Sequence, residues 1–232
     1  MIYNQDCITG MREHVTDNSI DLIFTDPPYG IKGDQLDAHY NRDEKGVVEG
    51  YVEVAQETYD EFSRAWISEC ARCLRPGGSI YIVSGYTNLH LVLNALHSTD
   101  LREVNHLIAQ YTFGVYTKHK WVSSHYHVLY WQKPGSRTFN QRYEDSKQSY
   151  HDRQSVQRLP RDYKRGAVKN RNQLSETFID KFIEYSSNPG DVVMDPFSGS
   201  FSTKRSAERL GRSFIGFELN KHAYDAFGDR PV

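Results

Sequence analysis

Hydrophobic positions along the chain fall into short runs that stop abruptly, alternating with stretches whose apolar residues recur every three or four positions. The segment IDLIFTDPPYG (20–30) shows the first kind. Ile20, Leu22, Ile23 and Phe24 read as a buried strand, and the run then meets an acid, two prolines and an aromatic ring. Pro27 and Pro28 lack a backbone N–H and hold φ at roughly −65°, so the ladder ends there. The second kind is shown by Phe62, Trp66, Ile67, Cys70 and Leu74, a helical face within 59–74. The same reading predicts strands over 2–6, 79–84, 107–116, 127–132, 191–194 and 213–218, and helices over 8–14, 88–96, 175–186 and from 202 onward. Turns are predicted at Arg75-Pro-Gly-Gly78 and Asn188-Pro-Gly190. This alternation predicts an α/β fold with a mainly parallel, twisted sheet covered by helices on both faces.

At 232 residues the chain suits one domain over 1–232, without internal repeats or low-complexity tracts. No terminal run has the shape of a signal peptide, and no window approaches the roughly 20 apolar residues of a membrane span, so a soluble, cytoplasmic protein is the expectation. Cys7, Cys70 and Cys73 are three thiols without a second pair or histidines at zinc spacing, which points to no metal. Cys70-Ala-Arg-Cys73 is a C-x-x-C in form, but it lies on the helical face of 59–74, where small thiols commonly serve as core residues.

The net charge of −2 conceals a division. Residues 118–173 carry 13 Lys/Arg and 4 Asp/Glu, hence +9, and the remainder carries −11. Trp121, Tyr126, Tyr130, Trp131, Phe139, Tyr143, Tyr150 and Tyr163 are interleaved with those cations. Such a mixture suits phosphates and unstacked bases, and it suits a solvated insert equally well.

In open α/β sheets ligands bind at the carboxyl ends of strands. Asp6, Asp26, Asp195 and Glu218 each stand at or just past a predicted strand end, which sets four carboxyl groups along one rim. Asp195-Pro-Phe-Ser-Gly-Ser200 ends a strand and opens a helix whose first N–H groups are available to a polar ligand. It is neither a phosphate loop nor a G-x-G-x-x-G fingerprint. Glu218, on the next strand, is placed to accept from ribose hydroxyls, so the expected ligand carries a nucleoside without a phosphate cradle.

TDPPYG, NPGDVVMDPFSGSFST and FIGFEL together resemble the S-adenosylmethionine-dependent DNA amino-methyltransferases, in particular the adenine-N6 type with D-P-P-Y. Because D-P-P-Y precedes the other motifs, the order resembles the permuted beta class. The resemblance runs from Tyr3 to about Tyr224 and is weakest between Lys133 and Lys169. It implies a Rossmann-like methyltransferase fold with circularly permuted motifs, S-adenosyl-L-methionine as cofactor and double-stranded DNA as partner. It further implies that Asp195, Phe197, Ser198, Gly199 and Ser200 shape the cofactor pocket beside Asp26, that Glu218 holds the ribose, and that Asp6 and Cys7 lie at the cofactor's adenine. Gln173 is the matching position of a Q-K-P-like cofactor motif, and Phe201 departs from the family's usual G-S-G.

In that resemblance Asp26, Pro27, Pro28 and Tyr29 are the catalytic residues. The N6 lone pair of adenine is delocalised into the ring and is a poor nucleophile. Acceptance of the amino protons by Asp26 and the Pro27 carbonyl favours a more tetrahedral nitrogen, while the prolines stiffen the carbonyl and Tyr29 offers a face for the base. Because the amino group is paired in a duplex, the base must be flipped out. The polar stretch 32–58 either closes over the strand end or is an ordinary loop. Trp121, His125, Tyr126 and His127 fall where family members carry base-pocket residues, with core packing as the simpler reading of each. The basic segment 133–169 would be a small target-recognition segment, with Arg158, Arg161, Lys164 and Arg165 on DNA. Its shortness leaves room for a homodimer or for modest specificity. Cytosine-N4 methylation, where S-P-P-Y is commoner, RNA or protein amide methylation, where N-P-P-Y is commoner, and a noncatalytic DNA-binding protein are the alternatives.

Overall fold

The computed structural model describes residues 1–31, 54–111, 118–140, 153–160 and 173–228. In chain order the elements are β1 (Ile2–Tyr3), α1 (Cys7–His14), β2 (Ile20–Thr25), a 3-10 turn (Gln56–Thr58), α2 (Tyr59–Cys73), β3 (Leu74–Ser84), α3 (Leu89–His97), β4 (Arg102–Gln110), β5 (His125–Gln132), β6 (Val156–Arg158), α4 (Glu176–Ser186), β7 (Val192–Asp195), α5 (Ser202–Arg209), β8 (Ser213–Phe217) and α6 (Lys221–Phe227). The eight strands form one sheet in the order β1-β8-β7-β2-β3-β5-β4-β6. Only β5 runs against the others, pairing antiparallel with both β3 and β4. The expected α/β architecture is therefore present.

Side-chain alternation explains how the sheet carries two helical layers. Ile23, Ile80, Ile82 and Met194 face a core shared with Met11 of α1, Trp66 and Ile67 of α2, and Val92 of α3. Leu22, Phe24, Tyr81 and Val193 face the opposite core, with Phe178 and Phe182 of α4, Ala207 of α5 and Phe227 of α6. A strand buried on both faces reads as a continuous apolar run, and this is why β2 shows no polar alternation. Cys70 and Cys73 are wholly buried free thiols, and burial raises both pKa values, that of Cys73 to about 11. They are core residues of α2, as the helical face predicts.

Several boundaries differ from expectation. Arg75-Pro-Gly-Gly78 does not precede the strand but bulges within β3: Ile20 pairs with Leu74 and Leu22 already with Ser79. Strand β4 starts at Arg102 rather than 107, where pairing with β5 sets Arg102 opposite Gln132; Arg102, Glu103, Asn105 and His106 supply no apolar alternation to signal it, and 112–117 lie outside the described residues. Strand β6 and helix α6 were not expected, the first being three residues long and the second seven. Most of 32–58 also lies outside the described residues, and among those described no helix is long and apolar enough to cross a membrane.

Candidate active site

The carboxyl ends of β1, β8, β7 and β2 are neighbours, so Asp6, Glu218, Asp195 and Asp26 follow one another along a single rim in that order. The four are not equivalent. Asp6 caps α1, accepting from the Thr9 N–H at 3.0 Å. Cys7 beside it is buried, and burial holds its thiol protonated. Asp195 is buried at the end of β7, where Oδ1 accepts from the Thr25 hydroxyl at 2.7 Å and the Phe197 N–H at 3.1 Å. Burial pushes its carboxyl up to about 6 against those hydrogen bonds and one from Thr203. Glu218 accepts from the Gly199 N–H on Oε2 and the Asn220 N–H on Oε1, both at 2.7 Å, and burial raises its pKa.

These contacts build the loop 195–201. Ser198 donates its N–H to Phe217 O at 2.9 Å and its hydroxyl to Asp195 O at 3.0 Å, which closes the turn between β7 and α5. Gly199 has φ of +50°, a region that glycine enters without steric cost, and a Cβ there would meet nothing nearer than the Phe197 carbonyl at 4.0 Å. Phe197 packs edge-on to Trp66 with centroids 5.2 Å apart, tying the loop to α2. Ser200 is buried, and its carbonyl accepts from Arg205 Nη1 at 2.7 Å. Phe201, the departure from the glycine pattern, adopts φ of +58° at the start of α5. A left-handed L-residue costs roughly 1–2 kcal/mol. Complete burial of the ring against α6, edge-on to Tyr224, contributes about as much or more. Phe201 is thus a core residue and gives no support to a degenerate site.

The loop after β2 is held from outside. Tyr59 of α2 donates its hydroxyl to Pro28 O at 2.8 Å, and Asn88, ahead of α3, donates Nδ2 to Tyr29 O at 2.8 Å and Gly30 O at 3.1 Å. Gly30 is required: its φ is +67°, and a Cβ would strike the Tyr59 ring at 2.4 Å. Tyr29 donates its hydroxyl to Asp26 Oδ1 at 2.7 Å, so it orients the acid as well as offering a ring. Among the described residues no loop hydrogen bond ends on the Pro27 carbonyl. Thr25, Tyr59 and Asn88 were not singled out from sequence. Asn88 looks like an ordinary helix start, yet its side chain caps nothing in α3.

The other candidates are dispersed. Tyr126 comes within 6.2 Å of the Tyr29 ring and 4.9 Å of Tyr111. His127 shares a 2.8 Å hydrogen bond with His106, and burial followed by repulsion from His106 and His125 lowers its pKa to about 4. Trp121 is 96% exposed, which overturns the packing reading for that residue. Among the described residues no hydrogen bond joins Gln173 to the 195–200 loop or to Glu218. Arg158 is exposed at the end of the edge strand β6, and Arg161, Lys164 and Arg165 lie outside the described residues.

Residues 20–228 match the DNA methylase model covering N6 and N4 enzymes. The chain belongs to the N6/N4 DNA methylase family. It is 31% identical to the Type II methyltransferase M.HpaI of Haemophilus parainfluenzae, over 94% of this chain and 70% of that one. It is 30% identical to M.BamHI of Bacillus amyloliquefaciens, again over 94% of this chain. Here the chain spans only 54% of the relative's length, and for M.HinfI of Haemophilus influenzae 66%. In fold it resembles the M1.HpyAVI–SAM complex (TM-score 0.67, 20% identity, 97% of this chain and 95% of that one) and the cytosine-N4-specific PvuII DNA methyltransferase (TM-score 0.74, 17% identity, 99% and 86%).

Proposed function

We propose that this protein transfers a methyl group from S-adenosylmethionine to the N6 amino group of adenine in double-stranded DNA. The observation that carries the reading is the accounting of carbonyls after β2. Those of Pro28, Tyr29 and Gly30 are taken by Tyr59 and Asn88, while that of Pro27, next to Asp26, has no such partner among the described residues. A rigid carbonyl and an oriented carboxylate are the two acceptors that an exocyclic amino group needs, since it carries two protons.

The residues of the neighbouring loop fit the cofactor. Each Glu218 oxygen accepts one amide N–H and keeps acceptor capacity for a ribose hydroxyl. A Cβ at Gly199 would meet nothing nearer than the Phe197 carbonyl at 4.0 Å, which leaves room over the loop for a ligand. When bound, the cofactor supplies an electrophilic methyl group. Asp26 and Pro27 O then orient the amino nitrogen toward it, and Tyr29 packs on the base while steadying Asp26. Asp6, Cys7 and Gln173 belong to the cofactor's periphery in this reading, and Arg158 with the rest of 133–169 to the DNA side. The motif order fits the beta class.

The same acceptors would serve the N4 amino group of cytosine, so that is the second reading; Asp26 in place of serine favours adenine. Sequencing DNA from cells expressing the wild type or Asp26→Ala, by a method sensitive to methylated bases, is the test. N6-methyladenine at a defined site, absent with the variant, supports the proposal; unmodified DNA from wild-type cells refutes it.

A further inference from the structure

The described residues 118–124, ahead of β5, carry a feature that the proposed reaction does not use. Of the three tryptophans, Trp66 and Trp131 are 0% and 1% exposed, whereas Trp121 is 96% exposed. Lys118, His119 and Lys120 precede it and are exposed as well. Tyr111, just after β4, donates its N–H to Ser124 O at 2.8 Å, which ties the end of this segment to β4. From there β5 leads into Tyr126, whose ring meets that of Tyr29. Trp121 precedes Tyr126 by five positions, at most roughly 17 Å of extended chain, and β5 begins opposite the carboxyl end of β3, His127 pairing with Ser84, so the segment enters the sheet at the end where Asp26 stands.

We propose that Trp121 is a DNA-stacking side chain that packs on a base left exposed in the duplex when the target nucleotide leaves the helix, with Lys118 and Lys120 on adjacent phosphates. The inference rests on the proposed DNA methyltransferase reading. Three observations favour this occupant. An indole is the largest apolar surface a side chain offers and is sequence-tolerant toward bases. Its flanking charges match phosphate and lie within the +9 segment of an otherwise acidic chain. Its segment enters the sheet at the end where Tyr126 approaches Tyr29, and apolar side chains commonly wedge between unstacked base steps.

Because the other two tryptophans are buried, fluorescence isolates Trp121. The probe is a duplex carrying the methylation site found by sequencing, with the full chain and S-adenosylhomocysteine present. Acrylamide should quench one class of emission in the free protein, and DNA should both dim and protect that class. Trp121→Ala should lack it and bind the duplex about five- to a hundredfold more weakly, with S-adenosylhomocysteine affinity unchanged, and Trp121→Phe should recover part of the loss. Wild-type methylation with Trp121 still quenchable on DNA and parent-like binding by Trp121→Ala would overturn the inference alone. Failure of the wild type to methylate any DNA would overturn it together with the function. Protection that grows with protein concentration in the absence of DNA would assign the indole to self-association instead.

Discussion

The loops after β7 and β2 stand side by side on one rim, and they are held by different means. The 195–201 loop is closed by its own backbone and by two carboxylates, the half-buried Glu218 on the Gly199 amide and the buried Asp195 on the Phe197 amide. The 26–30 loop contains two prolines with no N–H to give, and it is fixed by donors reaching in from α2 and α3. In the first arrangement the acceptors of the two carboxylates are partly used in holding the loop itself. In the second, among the described residues, the Pro27 carbonyl carries no loop hydrogen bond and Tyr29 directs the acid, which suits the proposed orientation of an amino group while it reacts. Perturbation of the 195–201 loop should therefore alter affinity and stability, and perturbation of the 26–30 loop should alter rate.

The sharpest contrast comes from Asp26→Ala, which should lower the rate at saturating cofactor by about a hundredfold or more and leave cofactor affinity and the melting temperature near the parent's. Next is the pH dependence set by Asp195. Its carboxyl titrates near 6 when folded against 3.8 ordinarily, so the stability it contributes is full below about pH 3.8 and is lost as pH rises through about 6. Across that window Asp195→Asn should gain stability relative to the parent by on the order of 3 kcal/mol, read from denaturant melts at successive pH values. A constant difference would show that this acid is not the titrating group. Glu218→Ala should weaken cofactor binding roughly ten- to a hundredfold in a titration, as expected for loss of a charged acceptor. Smallest are Tyr59→Phe and Tyr29→Phe, each removing one hydroxyl hydrogen bond at the 26–30 loop. About 1 kcal/mol, or near fivefold in rate with little change in cofactor affinity, is expected of each. If Tyr29→Phe matches the parent, the ring alone matters and its bond to Asp26 is incidental.

The difference between the loops also explains what could be read from the sequence. Strand β2 and the four rim carboxylates were legible because apolar runs and turn residues are local signals, and Asp195 and Glu218 act through neighbours close in sequence or on adjoining strands. Tyr59 and Asn88 were not, since their partners lie 31 and 58–59 residues away and each looks like a plain helix start. The polar beginning of β4 hid a strand that takes its register from β5 rather than from its own pattern. Phe201 looked like damage to a motif because its ring's burial depends on α6, a helix with no sequence signal of its own.

The atom that receives the methyl group is the core of this account. Purified protein incubated with unmethylated duplex DNA and isotopically labelled S-adenosylmethionine, followed by mass spectrometry of the digested nucleosides, reads it directly. Label in N6-methyladenine, and none with Asp26→Ala, is the predicted result. Label in N4-methylcytosine, or DNA that stays unlabelled while the protein binds both cofactor and duplex, would contradict it.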